Sequence, residues 1–183
     1  MSDTVSGTVL VLVGSLRAAS VNRQLAELAV ETAPEGVTLE VFDRLGDLPF
    51  YNEDIDTDEV PEPVVALRDA AARADAALVV TPEYNGSIPG VLKNAIDWLS
   101  RPFGNSALKD KPLAVLGASL GQYGGVWAHD ETRKSFGIAG PRVVDDLDLS
   151  IKSKSLDGKH PRENDEVAAR VREIVGKLAA EVG

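Results

Sequence analysis

Short, continuous apolar runs alternate with segments of helical period along most of this chain, and that alternation restricts the fold to a parallel sheet with helices on both faces. Thr8–Val13 and Val37–Phe42 read as the first two strands. Between them Val21, Leu25, Leu28 and Ala29 follow the stripe of a helix that Pro34-Glu35-Gly36 ends. Pro61 and Pro63 open a second helix with Val64, Leu67, Ala71 and Ala74 on one face, leading into the buried-strand run Ala76–Val80. A third helix follows Pro89-Gly90, with Val91, Leu92, Ala95, Ile96 and Leu99 facing inward. Pro112–Ala118 gives a fourth strand, ended by the glycine-rich Ser119–Gly125 loop, and Val143-Val144 a weaker fifth. Val167, Val171, Ile174, Val175 and Leu178 mark a final helix. The expectation is an α/β fold with a five-stranded parallel sheet in a single domain spanning residues 1–183. A chain of 183 residues, 44% of them hydrophobic, can bury about 70% of its unfolded surface.

Ligands of open parallel sheets bind beyond the carboxyl ends of the strands, so the segments at those ends carry the functional signal. Gly14–Asn22 sets Ser15, Arg17, Ser20, Val21 and Asn22 around a helix N-terminus, where free N–H groups and the helix dipole favour an anion. It is neither a P-loop nor a dinucleotide fingerprint. The plainer alternative is that Ser20 caps the helix and its neighbours are ordinary loop residues. Pro82-Glu83-Tyr84-Asn85-Gly86 ends the third strand with a rigid proline, a ring and a glycine, so that backbone can lie close beside a flat ligand. Its plainer alternative is a strand-to-helix connection. Together the two segments suggest a phosphorylated, planar cofactor.

Gly14-Ser15-Leu16-Arg17-x-x-Ser20-x-Asn22, followed by the ordered run from Pro82 to Trp98, resembles the NAD(P)H-dependent FMN reductases, over about residues 8–145. These are flavodoxin-like quinone, azo-dye and chromate reductases. The resemblance implies a flavodoxin-like three-layer sandwich holding noncovalent FMN, one per chain. It implies that backbone groups of Glu83, Tyr84 and Asn85, with Gly86 beside them, approach the flavin ring edge. Ser119, Gly121, Gln122 and Gly124 would form a third ring-contacting loop. Tyr84, where nicotinamide or acceptor stacks, and Arg101, near the acceptor entrance, are the implied catalytic residues. NADPH or NADH would supply hydride, and a quinone, flavin, azo compound or chromate would receive the electrons in a ping-pong cycle. Lys93, Asn94, Asp97 and Trp98 would shape a subunit contact. Trp98, Trp127 and Phe136 are the large apolar residues expected to support a homodimer or homotetramer. The chain departs from the family at Gly124-Gly125-Val126-Trp127, where a Gly-Gly-Leu-Arg-like run is usual.

Composition removes several other classes. A formal charge of −10 argues against nucleic acid as a partner, and the absence of cysteine excludes thiol nucleophiles, thiolate metal sites and disulfides. With no long apolar stretch and no basic-then-apolar leader, the expectation is a soluble, cytoplasmic protein without membrane insertion. His129 and His160 lack metal-site spacing, and the acidic run Asn52–Glu59 lacks the glycine and distal glutamate of a calcium loop, so no metal is expected. Two rivals remain. Gly117-Ala118-Ser119-Leu120-Gly121 matches a hydrolase nucleophile elbow, with Asp145, Asp146 or Asp148 and then His160 as partners. A flavodoxin-type electron carrier would sandwich FMN between Tyr84 and Tyr123. The basic cluster Lys152, Lys154, Lys159, His160 and Arg162 either touches an additional phosphate or forms an exposed hairpin.

Overall fold

The computed structural model describes residues 6–182, and residues 1–5 and 183 of the expected domain lie outside the described residues. Five parallel strands, β1 (Gly7–Val13), β2 (Val37–Phe42), β3 (Ala76–Val80), β4 (Pro112–Ser119) and β5 (Arg142–Lys152), lie in the order β2-β1-β3-β4-β5. The connecting helices are α1 (Val21–Glu31), α2 (Glu62–Arg73), α3 (Gly90–Leu99) and α4 (Val126–Ala139), and α5 (Asp165–Ala180) follows β5. This is the flavodoxin-like order, in which the chain reverses direction across the sheet at the boundary between β1 and β3.

Side chains alternate across a strand, and β1 distributes the layers accordingly. Val9, Val11 and Val13 face α1 and α5, where they join a core with Leu25, Leu28, Ile174 and Leu178. Leu10 and Leu12 face the opposite layer, built from Leu67 of α2, Leu92 and Ile96 of α3, and Phe136 of α4. The apolar stripes read from the sequence for α2 and α5 are buried throughout.

Two segments differ from expectation for identifiable reasons, and both are preceded by a helix start that the sequence pattern does not mark. Gly124-Gly125 leads into α4, with φ of 67° and 97° in the left-handed region. A Cβ on Gly124 would stand 2.8 Å from the Ser150 backbone, so the turn lies directly on β5. That strand runs 11 residues, far beyond Val143-Val144. A bulge shifts its register on β4 between Leu113 and Val115, and Asp145, Asp146 and Asp148 mask its pattern. It is an edge strand, and Arg170 of α5 donates to the Asp146 and Asp148 carbonyls at 3.2 Å each, occupying acceptors that would otherwise invite another strand. The basic cluster forms two short 3-10 turns, Ser153–Leu156 and Pro161–Glu163, in place of a hairpin.

Trp98 and Phe136 are fully buried, which removes them from any subunit contact. The Trp98 indole N–H donates to the Pro49 carbonyl at 2.8 Å, and its ring meets Tyr51 edge-on at 4.9 Å. Asn94 accepts from the Tyr51 N–H at 2.8 Å and donates to the same Pro49 carbonyl at 2.9 Å. These α3 residues therefore fasten the loop after β2 within the chain. In the acidic run Asp56 pairs with Arg68 at 2.9 Å in a half-buried bridge, so the segment is partly docked, not uniformly solvated.

Gly117, near the end of β4, lies so close to its neighbours that a Cβ there would overlap the Thr81 carbonyl and stand 2.8 Å from both Asn22 Oδ1 and His129 Nε2. Backbone carbonyls cannot swing aside as a flexible side chain would. Gly117→Ala is expected to cost about 3 kcal/mol or more in urea unfolding. Gly176→Ala, in the interior of α5 with open space around it, should stabilise by roughly 0.5–1 kcal/mol. Equal small effects at both positions would contradict this packing.

Candidate functional site

The carboxyl ends of β1, β3 and β4 and the turn after β5 enclose a cleft of about 610 Å³, within the ordinary range for small-molecule sites of roughly 300–1,000 Å³. One wall is the β1–α1 loop, contributing Ser15, Arg17, Ser20, Val21 and Asn22. The facing wall is Pro82, Glu83 and Tyr84, with Ala118, Ser119 and Leu120 beside it and Ser153 and Lys154 closing the end. The cleft therefore sits at the β1/β3 reversal, where strand order leaves a crevice between oppositely directed crossovers.

Hydrogen bonds fix these walls to one another. The Asn22 side chain accepts the Ala118 N–H at 2.8 Å and donates to the Ala118 carbonyl at 2.9 Å, so it pairs with the end of β4 as a further strand residue would. Ser20 Oγ accepts the Asn22 N–H at 3.2 Å and caps α1. His129 of α4 lies with Nε2 2.8 Å from the Thr81 carbonyl and Nδ1 2.7 Å from Ser150 Oγ. Because a carbonyl only accepts, Nε2 carries the proton and Nδ1 accepts from the serine, an assignment made from the hydrogen-bond network. Burial pushes the His129 pKa below its ordinary value, and Arg133 acts in the same direction, against the Thr81 bond, Glu83 and Asp130. The imidazole is thus a neutral tie between β3 and β5. Glu83 Oε2 accepts the Ala128 N–H at 3.1 Å, placing a carboxylate at the positive end of α4.

The Pro82–Gly86 segment closes on itself. Tyr84 and Ser87 exchange both backbone hydrogen bonds at 3.1 Å, with Asn85 and Gly86 at φ of 55° and 73° between them. That turn leaves the Tyr84 ring 53% exposed on the cleft rim.

The structure brings together Ser15, Arg17, Ser20, Val21, Asn22, Pro82, Glu83, Tyr84 and Ser119. It does not bring the other candidates into the cleft. Asn85 and Gly86 form the turn behind Tyr84. Gly121 lies beside Glu83, Gly124 lies against β5, and Gln122 lines a separate groove with Tyr123 and Arg170. Arg101 is farther away, because α3 carries the chain about 15 Å from the Tyr84 loop. Its guanidinium lies 3.8 Å from Glu53 and over the Tyr51 ring, in a groove with Phe103 and Ile138. Leu120 and Ser153 are cleft residues outside the predicted site set, and Lys154 is the member of the basic cluster that reaches the cleft. Ser153 and Lys154 follow an edge strand whose length the charged pattern concealed.

Both rivals lose their geometry. Each nitrogen of His129 is committed elsewhere, and His160 caps the 3-10 turn at Pro161 and faces Glu27, so Ser119 has no histidine partner among the described residues. Tyr123 packs on Trp127 at 5.5 Å in the neighbouring groove, away from a sandwich with Tyr84. Among the described residues no group of three His, Cys, Asp or Glu side chains is arranged for a metal, and no helix is long and apolar enough to cross a membrane.

The sequence profile of the family described as NADPH-dependent FMN reductase matches residues 8–155. A quinone reductase of Pseudomonas putida is 50% identical over 128 residues, covering 70% of this chain and 68% of the relative. A 2-hydroxy-1,4-benzoquinone reductase of a Burkholderia species is 46% identical over 125 residues, 68% of this chain and 67% of the relative. Among solved structures, FerB of Paracoccus denitrificans, described as a flavoenzyme NAD(P)H:(acceptor) oxidoreductase, superimposes with a TM-score of 0.84 at 34% identity, covering 96% of this chain and 97% of its own.

The His129 tie has a pH signature. Its pKa is lowered in the folded protein from an ordinary 6.5, so below that pH the unfolded chain binds a proton that the folded protein refuses, and stability falls as the pH falls. The contribution is constant well above 6.5 and declines as pH passes below it toward the lower folded value. The stability difference between wild type and His129→Gln should therefore be level at alkaline pH and shrink on acidification. A difference that grows below pH 6.5 would mean that the imidazole is held charged.

Proposed function

Because the chain belongs to the NADPH-dependent FMN reductase family, we propose that this cleft holds FMN and that the protein is an NAD(P)H-dependent quinone reductase working by ping-pong exchange on one open flavin face. The observation that carries the reading is the composition of the cleft at the β1/β3 reversal. Ser15 is 4% exposed, lines the cleft, and makes no side-chain hydrogen bond with the described residues. It stands with Arg17 beside the N-terminus of α1, a donor set suited to a phosphate ester. The Pro82–Tyr84 and Ala118–Leu120 walls are suited to a flat ring. When bound, FMN supplies the two-electron chemistry, taking hydride from a nicotinamide and passing it to an electron-poor acceptor.

In this reading the chain's own residues work by positioning. Ser15, Arg17, Ser20 and Val21 hold the phosphate end. Asn22, whose side chain is committed to Ala118, contributes by fixing the phosphate loop against the ring-contacting loop. Glu83 is tied to α4, which steadies the backbone that faces the ring edge, and Tyr84 lines the open face where nicotinamide and acceptor alternate. Quinones are the preferred acceptors, as the names of the relatives suggest; free flavin, azo compounds and chromate belong to the same class of planar or electron-poor oxidants. A cytoplasmic homodimer or homotetramer completes the reading. It is supported by Tyr84, Leu120, Tyr123 and Trp127, which are large, exposed and adjacent to the cleft loops, and a sizing experiment decides it.

Arg17→Ala should weaken FMN by roughly 1–2 kcal/mol, toward the low end for a hydrogen bond to a charged group because the guanidinium is solvent-exposed. Unchanged affinity would place the phosphate elsewhere. Tyr84→Ala should retain FMN yet alter the rate of flavin reduction or the apparent affinity for acceptor. Stopped-flow measurement of both half-reactions at wild-type rates would make Tyr84 a structural residue only.

A further inference from the structure

The turn after β5 reaches the cleft and brings Lys154 of the basic cluster to it. Ser153 and Lys154 open the Ser153–Leu156 turn and line the same cleft as the β1–α1 loop. The Ser153 hydroxyl is buried and has no hydrogen-bond partner among the described residues, a state that costs free energy unless a ligand satisfies it. Lys154 forms no ion pair with a described residue, whereas Arg162, from the same basic cluster, pairs with Glu31 at 3.0 Å. In a chain of formal charge −10, an unpaired cation on a ligand cleft is a selective feature. The lining contains two cations, Arg17 and Lys154, together with the buried Ser15.

We propose that Ser153 and Lys154 form a phosphate-monoester clamp at the end of the cleft whose other cation, Arg17, belongs to the β1–α1 loop. The proposal rests on the reading of the cleft as a cofactor site. Its ligand chemistry is a dianionic phosphate monoester, borne either by the flavin nucleotide or by the additional phosphate of NADPH. Lys154 supplies charge without fixed geometry, and the Ser153 hydroxyl supplies the directed hydrogen bond. Because the lysine is solvent-exposed, its attraction is screened by salt.

The test compares ligands that differ by a phosphate. FMN and riboflavin are titrated into flavin-stripped full-length protein, and NADPH and NADH are compared as donors to the reconstituted enzyme, for wild type, Lys154→Met, Lys154→Arg and Ser153→Ala. Lys154→Met is expected to weaken the phosphorylated member of one pair by about fivefold at low salt, the scale of a partly exposed ion pair. The unphosphorylated member should be unaffected. Lys154→Arg should restore most of the loss, and high salt should shrink it. Selectivity in the FMN pair assigns the clamp to the flavin, and selectivity in the NADPH pair assigns it to the donor. Equal losses for phosphorylated and unphosphorylated ligands, or none in either pair, would overturn the proposal. Wild-type protein that binds neither flavin would instead refute the cofactor reading beneath it.

Discussion

The cleft depends on two short hydrogen-bonded ties at the carboxyl edge of the sheet, Asn22 with Ala118 and His129 with Thr81 and Ser150. Strand ends in a parallel sheet have unpaired backbone groups, and buried ones must find partners. Here the partners are side chains from α1 and α4, so the same bonds that satisfy the ends of β3 and β4 also set the separation of the ligand loops. Gly117 is the geometric condition for both ties, since its missing Cβ leaves room for the Thr81 carbonyl, Asn22 and His129 together. Ser20, capping α1, and Glu83, bound to the first turn of α4, extend this bracing to the two helices that flank the cleft.

This arrangement separates residues that hold the site's shape from residues left free to meet a ligand. Asn22, His129, Glu83 and the Asn85-Gly86 turn are occupied with the protein itself. Ser15, Arg17, Tyr84, Ser153 and Lys154 are the groups whose side chains remain available in the cleft. A cofactor with its own redox chemistry needs such a rigid, sparsely reactive setting, because rate then depends on placement more than on an acid or a nucleophile.

Much of this is legible from the sequence because burial imposes period. The run Ala76–Val80 and the stripes of α2 and α5 are buried as their patterns predict, and so is that of α3 apart from the half-buried Val91. The β1–α1 and β3–α3 loops are legible because proline, glycine and serine have specific backbone roles there. What stays hidden has a physical cause. β5 is a bulged edge strand carrying aspartates outward, so its pattern does not alternate, and the Ser153-Lys154 turn beyond it is lost with it. The start of α4 lies at two left-handed glycines, which read locally as a break. Trp98 and Asn94 lie on an amphipathic helix beside a conspicuous motif, yet their partner is the Pro49 carbonyl, a nonlocal contact that no spacing rule encodes.

The most direct test of the central claim is anaerobic mixing of the purified, flavin-reconstituted protein with NADH and, separately, NADPH, following flavin absorbance. Rapid bleaching by at least one nicotinamide is expected in the absence of any acceptor, with recovery of the oxidised spectrum when a quinone is added. A protein that takes up no FMN, or one whose bound FMN neither nicotinamide bleaches, would contradict the assignment of this cleft.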